Sequence, residues 1–249
     1  MLHTELNTEL LPAIGPWLVC ALAVVLGTTL QRLSGAGYGM IVAPIMTLVA
    51  PAWVPGTVLL IGLVVGLGSL ISAWDAIVKK DLLPGFTGRF LGAVVAASIA
   101  SLVVGSSALP IVVGGIVLFA VALNLLGLRL AITNGSLFGA GLTAGIMGTL
   151  SGIGAPPMAI LYANVEARRS AATQNAFFGF GMAVSIIALA VVGLIRTPQL
   201  AFAASLAPLV PLSLLIARPL AKRVERGSIR PWALGLSTLS ALILLANSF

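Results

Sequence analysis

Twice along this chain a long apolar run is broken by nearly the same phrase: Leu33–Gly39 reads LSGAGYG and Leu150–Pro156 reads LSGIGAP. The shared Leu-Ser-Gly, with another glycine two positions on, sets an offset of 117 residues from Leu33 to Leu150. Glycine weakens a helix because nothing restricts its backbone, and proline because it has no amide to donate. Within a bilayer, interrupted backbone survives only where protein buries it or a polar cavity receives it. Two interruptions at matching places in two halves are the mark of a transport site.

The flanking runs place those breaks in a membrane. Hydrophobic residues fill 59% of the chain, charged residues 8%, and the mean hydropathy is +1.16. A soluble domain carries about 25% charge, so this chain cannot cover itself with a water-compatible surface. It reads as an all-α polytopic membrane protein whose partner is the lipid bilayer. The net charge of +7 would suggest nucleic acid in a soluble chain. Here the cations punctuate apolar runs, and topology explains them without nucleic acid. The single Cys20 excludes an intramolecular disulfide or a cysteine metal cluster, and no metal or cofactor is expected. The opening MLHTELNTELLP has no lysine or arginine, so no cleaved signal peptide is expected.

Apolar runs read as Trp17–Leu33, Tyr38–Ala50, Val54–Ala73, Phe90–Val104, Leu109–Gly127, Leu137–Leu150, Ile153–Ala163, Ala171–Ile195, Leu200–Ala217 and Pro231–Ala246. A helical span needs about 20 residues, so Tyr38–Ala50 and Ile153–Ala163 are too short to cross alone. Each is expected to be the second arm of a broken or re-entrant hairpin. The chain then divides into a tail at 1–16, a first repeat at 17–128 and a second at 129–249.

Charge counting tests this division. With hairpins and the N-terminus outside, Lys79, Lys80, Arg89, Arg129, Arg168, Arg169, Arg218, Lys222, Arg223, Arg226 and Arg230 all fall inside. Arg196 falls outside and Arg32 beside the first break. Eight plain spans would split the same cations almost evenly. The positive-inside bias therefore favours hairpins, with both termini outside. A hairpin plus three crossings starts the second half on the opposite face, so the repeats are expected to be inverted. Trp17, Trp53, Trp74 and Trp232 fall at the interfaces this topology predicts.

At these breaks the chain resembles the sulfite exporter TauE/SafE family, also called TSUP. The resemblance rests on the duplicated four-segment organisation, on SGAGYGMIVAP (Ser34–Pro44) and SGIGAPPMAI (Ser151–Ile160), and on EARRSAATQNAFF (Glu166–Phe178). It covers nearly the whole length. Breaks in the family are usually richer in consecutive glycines, and Tyr38 stands where a small residue is expected. The resemblance implies a carrier of small sulfur-containing anions such as sulfite or organosulfonates in the cell inner membrane.

An anion site also follows from the residues. A helix that starts within the membrane leaves its first amides unpaired, at the positive end of its dipole. Amides freed near Ser34, Gly35 and Gly37, and near Ser151, Gly152 and Gly154, could approach an oxyanion closely. The two serines add hydroxyls. Gln174 and Asn175 open the helix after the second break and align with Thr57 and Val58 by the offset. They read either as ligands or as interhelical hydrogen bonds. Arg32 reads either as an attractor of the anion or as a snorkelling cation. Glycine and serine in membrane helices also serve close packing, a reading that the duplication makes less economical.

All six acidic residues (Glu5, Glu9, Asp75, Asp81, Glu166, Glu225) read as lying in the tail, in loops or at span edges, and the sole histidine is His3. With no embedded relay, a transported proton would travel on the substrate or through waters. A potential negative inside drives an anion outward by about 2.3 kcal/mol per charge per 100 mV, which favours export. The alternative is an uptake permease for a related anion, or a non-transporting membrane subunit. An intramembrane enzyme lacks an embedded base or metal ligands. The many small residues are compatible with a homodimer.

Overall fold

The computed structural model describes residues 9–34, 37–70, 74–128, 130–223 and 226–248, with side chains at all of these except 33, 34, 70, 218–223 and 226–233. Eleven α-helices follow one another among the described residues, with no strand. They are α1 Ile14–Ser34, α2 Tyr38–Val49, α3 Gly56–Leu70, α4 Leu82–Val103, α5 Ala108–Leu125 and α6 Asn134–Ser151. Then come α7 Pro156–Leu161, α8 Ala167–Val191, α9 Thr197–Leu206, α10 Leu209–Arg223 and α11 Arg226–Ala246. Among the described residues five stretches are long and apolar enough to cross a membrane: Ile14–Arg32, Lys79–Val103, Ala108–Leu125, Ala167–Val191 and Thr197–Ala217.

The short arms are the buried ones. In α2 every residue from Tyr38 to Pro44 is buried, and in α7 Pro156, Pro157, Met158 and Leu161 are. The long helices turn apolar side chains outward instead, with Leu83 78%, Leu102 73% and Val191 81% exposed. An outward apolar surface of that kind suits a lipid surround. Both glycine phrases interrupt helices, between α1 and α2 and between α6 and α7.

Some expected boundaries move. The run expected to start at Phe90 begins eight residues earlier, because Pro84 sits in the first turn of α4, where its missing amide costs nothing. This shift carries Arg89 out of the loop to which sequence reading assigned it. The Leu200–Ala217 run is two helices, α9 and α10. The arm expected at Ile153–Ala163 is helical only over Pro156–Leu161.

Small residues bring α4 and α6 into backbone contact. A Cβ added at Gly88 would meet the Phe138 carbonyl, at Gly92 that of Leu142, at Gly141 that of Gly85, and at Gly145 that of Arg89. Membrane helices associate through such small-residue faces, since lipid supplies no hydrophobic drive. Elsewhere α3 packs on α8, α4 on α8, α1 on α10, α2 on α11 and α5 on both α7 and α11.

The connection before α8 is tied by polar contacts. Glu166 caps α8, accepting from the Arg168 and Arg169 amides at 2.8 and 3.0 Å, and these bonds hold its carboxyl below the usual range. Arg168 donates to Asp75 at 2.6 Å, and the Val78 amide to Thr173 at 3.0 Å. Asp81 lies at the span edge where it was expected and is buried there, accepting a 2.8 Å bond from the Tyr162 hydroxyl.

Candidate functional site

Arg89 lies two turns into α4 and is 4% exposed. Arginine is almost never fully buried without a partner. Here Nη2 donates to Ser185 Oγ at 3.5 Å, and that hydroxyl lies 2.7 Å from Thr149 Oγ1. Nε and Nη1 have no hydrogen-bond partner. Three glycines make room for the guanidinium. A Cβ at Gly148 of α6, at Gly154 of the second break or at Gly181 of α8 would collide with it. An unpaired charge held this way costs several kcal/mol, which makes an intramembrane ionisable group a functional candidate.

Beside the guanidinium is a cavity of about 10 Å³, lined by Arg89, Ala144, Gly154, Ala155, Met158, Gln174, Phe177 and Phe178. That is room for about one water. Its wall contains one cation and no acid. Gln174 donates through Nε2 to Ser170 Oγ at 2.9 Å, while its Oε1 is buried without a partner. Phe177 and Phe178 close the α8 side, and behind Phe177 the Phe86 ring stacks on Phe180 at 3.9 Å. Among the described residues no three His, Cys, Asp or Glu side chains gather as metal ligands.

The two breaks touch. A Cβ at Gly39 would run into the carbonyl of Gly152, and one at Gly152 into Val58. Gly152 ends α6 at φ +81° and Gly37 precedes α2 at φ +135°, both in a region that glycine enters freely. Tyr38 anchors the first break, its hydroxyl donating to the Val58 carbonyl at 3.1 Å and its amide to Gln31 Oε1 at 3.3 Å.

The sequence model for the family described as Sulfite exporter TauE/SafE matches residues 19–244. This chain belongs to the TauE/SafE family. No curated protein and no solved structure matches it significantly. TauE/SafE proteins are multi-pass membrane transporters.

In this TauE/SafE chain the residues singled out from sequence divide into groups. Gly154 and Gln174 line the cavity with Arg89. Gly152 lies in the contact between breaks. The Ser151 hydroxyl is committed locally, donating to Met147 O at 2.7 Å and accepting from the Ile153 amide at 3.2 Å. Asn175 accepts from Gln31 Nε2 at 3.0 Å, tying α8 to α1. Thr57 donates to the Gln199 carbonyl at 3.2 Å. Gly37 is buried, and Arg32 is half-buried in the last turn of α1. The Ser34 side chain and Gly35 lie outside the described residues.

Sequence reasoning missed Arg89, along with the Ser185–Thr149 pair behind it. It placed the anion instead near backbone amides of Ser151, Gly152 and Gly154. Helix α7 begins with Pro156 and Pro157, which have no amide hydrogens to offer an anion. At this break the Arg89 side chain brings a full positive charge. A signal was present: Gly85, Gly88 and Gly92 fall at helical spacing around Arg89, as in a buried, close-packed face.

Proposed function

We propose that this TauE/SafE transporter carries small sulfur-containing anions, sulfite or organosulfonates, out of the cell across the inner membrane by alternating access. The observation that carries the reading is the buried Arg89 guanidinium, with Nε and Nη1 unpartnered beside a cavity at the second break. An arriving anion supplies the missing counter-charge, so desolvation already borne by the protein becomes binding energy. A cavity of about 10 Å³ is closed to an oxyanion. Admission requires α7 and its flanking turns to move away from α4.

The proposed framework is a pair of inverted repeats. An offset of 117 residues carries α1 onto α6, α2 onto α7, α3 onto α8, α4 onto the α9–α10 pair and α5 onto α11. Exchanging the halves turns the α4–α6 packing into α1–α10 and the α2–α11 packing into α5–α7, while α3–α8 maps onto itself. This pairing supports two halves that rock against each other around the contact of Gly39 with Gly152.

The test is efflux from proteoliposomes under an imposed potential. Wild-type protein should move sulfite and methanesulfonate outward faster when the interior is negative. Well-folded Arg89→Gln should fall to the protein-free leak. Transport by that variant at the wild-type rate would remove the proposed site.

A further inference from the structure

The cavity does not present donors alone. Arg89 offers unpaired Nε and Nη1 hydrogens, and Gln174 offers an unpaired Oε1 acceptor on the same lining. The amide orientation is set by its neighbour. Ser170 Oγ gives its one hydrogen to the Tyr162 carbonyl at 3.2 Å, so toward Gln174 it can only accept, and Nε2 must face it. Oε1 is left as a buried acceptor without a partner, on the lining it shares with the Arg89 donors.

The charge balance is equally specific. Arg89 is the one charged residue in the lining, whose other members are neutral. A monoanion neutralises it, whereas a dianion leaves one negative charge uncompensated in a low-dielectric site. The charged and titratable groups on the wall-forming elements lie at their ends: Asp81 before α4, Tyr162 after α7, and Glu166, Arg168 and Arg169 at the start of α8.

We propose that the Arg89–Gln174 site selects a monovalent oxyanion that retains one acidic hydroxyl, the hydrogen form of a dibasic oxyanion. Its deprotonated oxygens accept from Arg89, and its hydroxyl donates to Gln174 Oε1. The transported proton then rides on the substrate, and the protein needs no relay of its own. This rests on the anion-carrier reading above and specifies which charge state that site accepts.

The experiment is binding to purified full-length protein across a pH series, with sulfite and selenite as hydrogen-oxyanion probes. Methanesulfonate serves as a monoanion without a hydroxyl, and sulfate as a dianion. Sulfite and selenite affinity should weaken by about tenfold for each pH unit above the anion's own second ionisation. Methanesulfonate should bind at least about fivefold more weakly than the hydrogen forms, with no pH trend. Sulfate should not compete. In Gln174→Met the preference for a hydroxyl should disappear while methanesulfonate binding persists. Equal binding of sulfate, or a pH trend shared by methanesulfonate, would overturn the inference and leave the anion site standing. Failure of every anion to bind at any pH would overturn both.

Discussion

Gly154 stands so close to the Arg89 guanidinium that an added Cβ would lie 2.5 Å from Nη1 and 2.9 Å from the Ala144 carbonyl. The second break thus serves the arginine by staying small. Gly154→Ala should push the guanidinium off the cavity and reduce sulfite transport at least about tenfold, the scale of a misplaced binding group. Transport per folded molecule in proteoliposomes measures this. An unchanged rate would mean that the guanidinium position is immaterial.

Gly39 has a different neighbour. Its added Cβ would strike the backbone of Gly152 and Ile153, which cannot swing aside as an arginine side chain can. Gly39→Ala should destabilise the protein by about 1–3 kcal/mol, the usual cost of overpacking. Thermal unfolding in detergent should show a lower Tm for Gly39→Ala than for Gly154→Ala.

Tyr162 and Asp81 form a buried pair whose members are unequal. Tyr162→Phe leaves the Asp81 carboxyl without its 2.8 Å donor and should cost about 1–3 kcal/mol. Asp81→Asn keeps an oxygen to accept the same bond and should cost less. Adding Asp81→Asn to Tyr162→Phe should recover part of the loss, because an amide is cheaper than a carboxylate to bury unpaired. Melting curves of the three variants check the order.

Gln31 and Asn175 connect the first break to α8 through a 3.0 Å bond. A double-mutant cycle on Gln31→Ala and Asn175→Ala should give a coupling of about 0.6 kcal/mol, the average for hydrogen bonds within a membrane bundle, and no more than about 1.7 kcal/mol. Asn175→Ala should also weaken transport less than Gln174→Ala, since only Gln174 lines the cavity. The reverse order in a flux assay would place the substrate on the other face of α8.

Both breaks and the short arm at Tyr38 were legible in the sequence, because glycine, proline and run length act locally. Gln174 and Gly154, which line the cavity, were both named from the sequence. Arg89 was not. A charge ends an apolar run in any hydropathy reading, and the cost of burying arginine assigns it to a loop by default. What reverses that assignment is the room made by Gly148, Gly154 and Gly181, all far from Arg89 in sequence. Asp81 does sit at the edge of α4, but its burial was not legible, since only folding brings Tyr162 to it. The commitments of Ser151 and Thr57 to backbone carbonyls depend on rotamers and neighbours that spacing does not encode.

On the proposed function, Arg89 is kept buried without a counter-charge so that an anion can supply it. Melting of wild type and Arg89→Gln, each with and without sulfite, tests it most directly. If the charge serves binding at the expense of the empty fold, Arg89→Gln without ligand should melt no lower than wild type. The rise in Tm that sulfite gives the wild type should vanish in the variant. Undiminished stabilisation of Arg89→Gln by sulfite would contradict the account.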